Sequence, residues 1–586
     1  MNFFEGHAER CRDALEKRGA LGSAVRKLRI RLGDQTAKRK TAILERIRSE
    51  EQDIFREYAT DAIDAVIGGD TKASGLEINK ELVNFIALAT PNIRLRARAG
   101  SGKSTAIVIK CVFLIRALHM APETIQILTF NRAAAEHLRK KLRAALGGEV
   151  AARIGVNTFH SLAVSVVKGC PDTQDMTIVF SKREAEDRGH ELSREELEAL
   201  KLSERLFQQA LNEMTTQKEL ALYRTKYQGS AFSYMVDNNN FEEQIKEYVA
   251  KAVGLYRARR GVMPETSSSK IRLHIARIAD AYEAKLAAHN MFDGEACLRR
   301  AADILSQTDA PLRPARLDGQ LQFLFVDEYQ DFSSAFEGLT QALMSRNPDC
   351  VLNAVGDDWQ SINAFMGADL SFFDGFKDNY PPALNLDLRA NFRSGKRIVA
   401  LGNAVMAAKE CSAAVAAQPH DGKLRITPEG EIVTEWRGNQ WFLDARDYIS
   451  ARLEKIADQA WADDARAGRT PGSLVLLAFA NNPYGQSLQK YAQELTKNGD
   501  RTVETSTVSS AKGREWDHVI LLDGIVTEYP NSHPADLIQQ TMISAQQKTA
   551  EGQRLLYVAV TRAKHSLGIL IPTELHPDLS MAHALS

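Results

Sequence analysis

Two stretches carry residue types that could do chemistry together. The first is Arg98-Ala99-Gly100-Ser101-Gly102-Lys103-Ser104-Thr105, a glycine-rich turn ending in a lysine and a hydroxyl. Gly100 and Gly102 let the backbone curl until its N–H groups face inward at an anion. A helix starting at Lys103 adds the positive end of its dipole. In that setting Lys103 reaches the outer phosphates of a nucleotide and the Ser104 hydroxyl holds Mg2+. The general pattern puts a glycine where this chain has Ala97. The second stretch is Asp327-Glu328-Tyr329-Gln330-Asp331. Asp327 would bind the magnesium through water, and Glu328 would orient and deprotonate an attacking water. The plain alternatives are a glycine loop that only turns the chain and a pair of acids capping the next helix. Together the two stretches point to hydrolysis of a bound nucleotide.

Both stretches need strands behind them. The extended run Ile93–Ala97 leads into the first, and Leu321–Val326 delivers the two carboxylates of the second. An α/β sheet places its ligand chemistry at such C-terminal strand ends. Further strand candidates are Ile125–Phe130, Gly155–Phe159 and Val351–Val355, alternating with helical segments. That alternation predicts a parallel sheet covered by helices on both faces. Residues 163–320 interrupt it with charged, helix-patterned sequence and are expected to be a helical insertion. A second alternating region begins near Leu384, with strands at Leu474–Phe479, His518–Leu522 and Leu567–Ile571. Arg425–Trp436 has the pattern of a hairpin turning at Pro428-Glu429-Gly430. Residues 1–75 are patterned as helix, and the run Arg26–Arg31 is either a solvated face or a contact to DNA or a partner.

Composition bounds the setting. A chain of 586 residues is too long for one core. With 75 basic and 75 acidic residues no global field draws it to nucleic acid, so such contacts must come from local patches. The six cysteines have no metal-site or disulfide spacing, which suits a reducing cytosol and a cytoplasmic protein. No stretch approaches the length of a membrane span.

The order of motifs carries a resemblance. The Gly-Lys-Ser loop and Asp-Glu-Tyr-Gln-Asp resemble motifs I and II of UvrD/Rep-type superfamily 1 helicases. Thr129–Ala135 and Thr158–Leu162 resemble the DNA-contacting motifs between them. Gly356–Ile362, Asn391–Ser394, Ser509–Trp516 and Tyr557–Ala563 resemble motifs III to VI, in the family's order. The resemblance implies two RecA-like P-loop lobes of the α/β class. Lobe 1 (1A) would be 76–162 with 321–383, the helical insertion (1B-like) 163–320, and lobe 2 (2A) 384–586, after an N-terminal helical extension, 1–75. It implies ATP and Mg2+ as cofactors, Ala99 to Thr105 as the phosphate cradle, and Ser104 and Asp327 as magnesium ligands. Gln360 would sense the γ-phosphate, Arg393 and Arg562 would act as arginine fingers, and Phe392 would stack on adenine. Gly513 and Glu515 of motif V would also bind the nucleotide, Glu515 meeting the ribose. Phe130, Asn131, Thr158, Phe159, His160, Phe365 and Ser509 would touch DNA. For Phe130 and Phe159, core packing is an equal reading, since both lie at strand ends.

The activity so implied is ATP-dependent 3′→5′ movement along single-stranded or partly duplex DNA, in repair, recombination or defence. A different class stays open: a nucleotide-gated sensor or scaffold that recruits a separate effector nuclease. Several positions depart from the family's pattern. No glutamine stands in Leu76–Glu81 to read adenine, Ser509 replaces a histidine, and Asn363 replaces an aromatic. Leu474–Phe479 and a helix Gln486–Lys497 lead almost directly to Val503–Gly513, leaving no room for the family's 2B subdomain. The stretch after Ala563 is too short for a fused nuclease domain. Arg94, Arg96 and Arg98 alternate along a strand expected to be apolar, and a salt-bridged face under the N-terminal helices is one account of them.

Overall fold

The computed structural model describes residues 91–181, 191–228, 240–260, 270–307, 314–407, 413–427, 434–437, 440–443, 446–479, 485–496, 503–522 and 545–570, with 80–89 and most of 56–66. The basic run at 26–31 and the turn at 428–430 lie outside the described residues.

Short apolar runs form two parallel sheets. The first contains β1 (Asn92–Ala97), β2 (Ile125–Thr129), β3 (Gly155–Thr158), β4 (Phe323–Val326), β5 (Val351–Gly356) and β6 (Ala383–Leu388). Its order is β3-β2-β4-β5-β1-β6. The second contains β7 (Lys423–Thr427), β8 (Leu474–Ala478), β9 (Val503–Thr507), β10 (Trp516–Leu521) and β11 (Ala563–Leu570), in the order β7-β11-β10-β8-β9. The fold is therefore α/β with two helix-flanked parallel sheets. Central strands of such sheets are covered on both faces, which is why Phe323–Val326 is apolar at every position and wholly buried. The helix Lys103–Arg116 is buried from Ala106 to Leu114 for the same reason.

Between β3 and β4 the chain leaves the sheet for a helical insertion. Helices Arg194–Met214, Gln217–Gln228, Phe241–Ala258 and Lys270–Ala288 build a separate core around Ile245, Val249, Ile275 and Ile278. Ser193 starts the first of these with a reciprocal capping box to Glu196. Arg259, almost fully enclosed, closes the insertion onto the first lobe by donating to Ala368 O and the Asp369 carboxylate.

Two sequence expectations need correcting. The run from Leu384, assigned to the second lobe, is β6 of the first sheet and pairs with β1 from Asn92↔Ala383 to Ala97↔Leu388. Strand patterning shows that a strand forms but not which sheet it joins. The hairpin expected over Arg425–Trp436 is instead two elements. Lys423–Thr427 pairs parallel to β11, and the antiparallel pair is Thr434–Arg437 with Gln440–Leu443. No helix among the described residues is long and apolar enough to cross a membrane.

Candidate active site

Strands β1, β4 and β5 lie side by side and release their C-terminal ends at one edge of the first sheet, where an open α/β sheet holds its ligand. From β1 comes the glycine loop. Gly100 (φ 72) and Gly102 (φ 83) sit in the left-handed region that glycine alone enters cheaply. A Cβ on Gly100 would also strike Asn391 Oδ1 at 2.7 Å and Arg393 Cβ at 2.8 Å. Gly102 then opens the helix Lys103–Arg116, whose first turn faces the loop. The Ser101 hydroxyl is buried there without a hydrogen-bond partner, as a cradle shaped for an anion would leave it.

From β4 come the two carboxylates. Asp327 Oδ2 accepts from Ser104 Oγ at 3.4 Å, and Glu328 Oε1 lies 3.6 Å from Lys103 Nζ. Glu328 is held at φ 55, a costly conformation for a side chain with a Cβ, and one that clusters at functional sites. The two acids are pushed apart. Burial first, then the neighbouring Glu328 charge, pushes Asp327 up. Burial would raise Glu328 as well, but Lys103, Lys512, the Gln330 amide and Arg562 outweigh it and hold its carboxylate low. A cation between Ser104 and Asp327 would restore the Asp327 charge, so the donor set fits magnesium.

From β5 comes Gln360, buried, with Nε2 donating to Asp357 Oδ2 at 2.7 Å. The second lobe meets it there. Arg562 Nη2 donates to Gln360 Oε1 at 3.2 Å and Arg562 Nη1 to Arg514 O at 3.1 Å. Burial and then Arg393 pull Arg562 down to about 9, so an anion beside it would be strongly favoured. Arg393 donates to Glu515 Oε2 at 2.6 Å and Thr561 O at 3.1 Å. Phe392 is 44% exposed, free to stack, while its N–H donates to Gly100 O at 2.9 Å. Gly513 (φ 82) turns the chain before Glu515. Thr105 is engaged elsewhere, accepting from Lys141 Nζ at 2.8 Å.

Sequence reasoning missed several residues here. Asn391 donates to Ala99 O at 2.8 Å while its Oδ1 accepts from the Arg393 and Ser394 amides, so it staples the phosphate loop to the second lobe. Lys512 pairs with Asp331 across the same seam. The alternating arginines form a hydrogen-bonded and salt-bridged row, as expected, and most of the N-terminal helices named with them lie outside the described residues. Arg94 donates to Phe373 O at 2.6 Å, Arg96 approaches Asp358 at 3.3 Å, and Arg98 binds Asp357 and Asp358 at 2.8 Å. Asn391 and Lys512 stand inside motifs already singled out, but which neighbour each would meet depends on strand order.

Residues 78–381, more than half of the chain, match the UvrD/REP helicase N-terminal domain, and 475–573 match the UvrD-like helicase C-terminal domain. The chain belongs to the UvrD/REP helicase family. It is 25% identical over 503 residues to DNA helicase IV of Escherichia coli (strain K12), covering 82% of this chain and 66% of that protein. It is 26% identical over 427 residues to the ATP-dependent DNA helicase PcrA of Leuconostoc citreum, covering 71% and 50%. With ATP-dependent DNA helicase Rep of Buchnera aphidicola subsp. Baizongia pistaciae the identity is 25% over 312 residues, covering 53% and 40%. The chain thus spans between two fifths and two thirds of the length of these relatives.

The positions that the UvrD/REP resemblance assigns to DNA are less uniform than the nucleotide cleft. Phe159 is buried, stacked 4.4 Å from the Phe336 ring and edge-on to Phe332. It has no face to offer a base, so of the two readings core packing describes it and the expected DNA contact is corrected. Phe130 and His160 lie edge-on to the same Phe336, at 6.0 and 5.7 Å, and are only partly buried. Asn131 and Thr158 accept from Ala134 N and Ser161 N and cap the helices that follow. Ser509 is exposed in the turn after β9. Phe365 falls in the turn Ala364–Met366, and its side chain lies outside the described residues.

Proposed function

We propose that this UvrD/REP family member hydrolyses ATP at the seam between its two sheets and uses the cycle to move 3′→5′ along single-stranded DNA, separating strands. The observation that carries this reading is the reach of Arg562 to Gln360 across the seam, beside Asn391 and Arg393 at the phosphate loop.

Ser104 and Asp327 would hold a magnesium ion, which would neutralise charge on the phosphates. Lys103 and the loop amides would bind the outer phosphates. Glu328, kept anionic by Lys103 and Lys512, would align a water for in-line attack and take its proton. Gln360 would hold the departing phosphoryl group, and Arg562 and Arg393 would bear its developing charge. Phe392 would stack on the base and Glu515 would accept from the ribose. Release of the phosphate would free Arg562 and Gln360 to relax and let the lobes move. Phe130, Asn131, Thr158, His160, Phe365 and Ser509 would line the DNA path. We read residues 163–320 as the 1B-like insertion and the 2B subdomain as missing, because a single helix, Gly485–Thr496, lies between neighbouring strands β8 and β9. The reading of the chain as a scaffold for a nuclease has no observation in its favour.

Steady-state ATP hydrolysis tests the proposal. Turnover should rise when single-stranded DNA is added, and Lys103→Ala should abolish it. Turnover indifferent to DNA would refute the translocase reading, and surviving turnover in Lys103→Ala would move the chemistry elsewhere.

A further inference from the structure

Arg98 has no part in the scheme above, yet it is one of the largest fully enclosed side chains in the protein. Its Nη1 donates to Asp357 Oδ1 and Asp358 Oδ1, both at 2.8 Å. Its Cζ sits over the Trp359 ring, 3.5 Å from the ring centroid, and Trp359 meets Tyr557 of the second lobe edge-on at 5.3 Å.

These contacts converge on Gln360. An amide side chain can present either its N–H2 or its oxygen to a given neighbour. Asp357 settles which. Its Oδ1 is taken by Arg98, leaving Oδ2, which accepts from Gln360 Nε2 at 2.7 Å. A carboxylate accepts and does not donate, so the Gln360 oxygen must point the other way, at Arg562 Nη2. With Arg98 gone, Asp357 Oδ1 would lose its charged partner and keep the longer bond from the Trp359 N–H, at 3.3 Å, in a site with no solvent to make up the difference.

We propose that Arg98 is a positioning residue for ATP hydrolysis: through Asp357 it sets which end of the Gln360 amide faces Arg562. The inference rests on the role proposed for Gln360.

The test is a turnover cycle in the full chain comparing Arg98→Met, Gln360→Ala and the double variant, with kcat and KM for ATP measured separately. Arg98→Met should lower kcat by about 10²-fold, as misplacement of a catalytic group does, with KM unchanged. The double variant should be no slower than Gln360→Ala, because the two act as one unit. Arg98→Lys should not restore the rate, since a compact, strongly hydrated ammonium cannot bridge both carboxylates and at the same time stack over the Trp359 ring. Losses that multiply in the double variant, or a raised KM at full kcat, would overturn the proposal. A Gln360→Ala enzyme with normal kcat would overturn it together with the Gln360 reading, whereas a slow Gln360→Ala with a fast Arg98→Met overturns it alone. Should Arg98→Met fail to fold, Asp357→Asn decides. Its amide N–H2 can face Gln360 and reverse that side chain, so kcat should fall similarly, and a normal kcat would refute the inference.

Discussion

At the scale of single residues the two acids of the cleft divide their work by environment. Asp327 and Glu328 are adjacent, yet one is pushed up and the other held down. Burial raises both, but Asp327 also faces the Glu328 charge with Lys103 as its cation, while Lys103, Lys512 and Arg562 surround Glu328 with positive charge. Glu328→Gln keeps the shape and the contact to Gln330 but removes the base. It should lower kcat by about 10²–10⁴-fold while a fluorescent ATP analogue still binds; a variant that hydrolyses at the normal rate would show that Glu328 is not the base. The glycines, Lys103, Ser104, Asp327 and Glu328 were legible in the sequence because phosphate chemistry needs those types within a few residues of a strand end. The partners Asn391 and Asp357 were not, since each acts through a residue remote in sequence: Asn391 through Ala99, Asp357 through Arg98.

At the scale of elements, the helical insertion carries its own pH dependence. His274 is fully buried on the helix Lys270–Ala288, with Nε2 on Met214 O at 2.9 Å and Nδ1 on Tyr223 Oη at 2.8 Å. Burial lowers its pKa more than the Met214 carbonyl and Glu219 raise it, and Arg277 lowers it further. The folded ring is therefore neutral where an unfolded histidine, at about 6.5, begins to take up protons. Unfolding then gains protons as pH falls, so the stability that His274 contributes is present above about pH 6.5 and is lost below it. Thermal melts should fall from pH 7.5 to pH 5.5, and His274→Gln should flatten part of that slope; parallel profiles for the two proteins would refute the assignment. Elements were also where sequence reading went furthest and then stopped. Strands such as Phe323–Val326 announce themselves by apolar runs. The edge strand β6 does so equally, but its partner was chosen by packing against β1, and that choice is what brings Asn391 to the phosphate loop. Arg96 and Arg98 broke the expected apolar pattern because β5 leads into Asp357 and Asp358 on the same side, and Arg94 because Phe373 O and Asp374 lie beside it.

At the scale of the whole molecule the lobes are joined by side-chain contacts rather than by a shared sheet: Ala99, Trp359 and Ile362 enter the apolar core of the second lobe, and polar pairs ring them. Arg562 meets Gln360, the Ala364 N–H donates to Glu551, and Lys512 pairs with Asp331. The last is the most exacting. Asp331 is 1% exposed and Lys512 only 12%, so neither has water as a ready substitute. Burial raises Asp331 and Lys512 opposes it. Breaking a pair this enclosed costs about 3–5 kcal/mol, and here that cost falls on the seam and on neither sheet core. Lys512→Met should thus leave both lobes folded but shift the nucleotide-free protein toward an open arrangement. A small-angle scattering measurement should give a larger radius of gyration for the variant than for the parent without nucleotide. A non-hydrolysable ATP analogue should bring the two together, because phosphates held between Lys103 and Arg562 draw the lobes closed independently of Lys512. High salt should not mimic the variant, since a pair with so little exposure is poorly screened. An unchanged radius without nucleotide would mean that the remaining seam contacts suffice and that Lys512 serves the cleft only through its charge on Glu328.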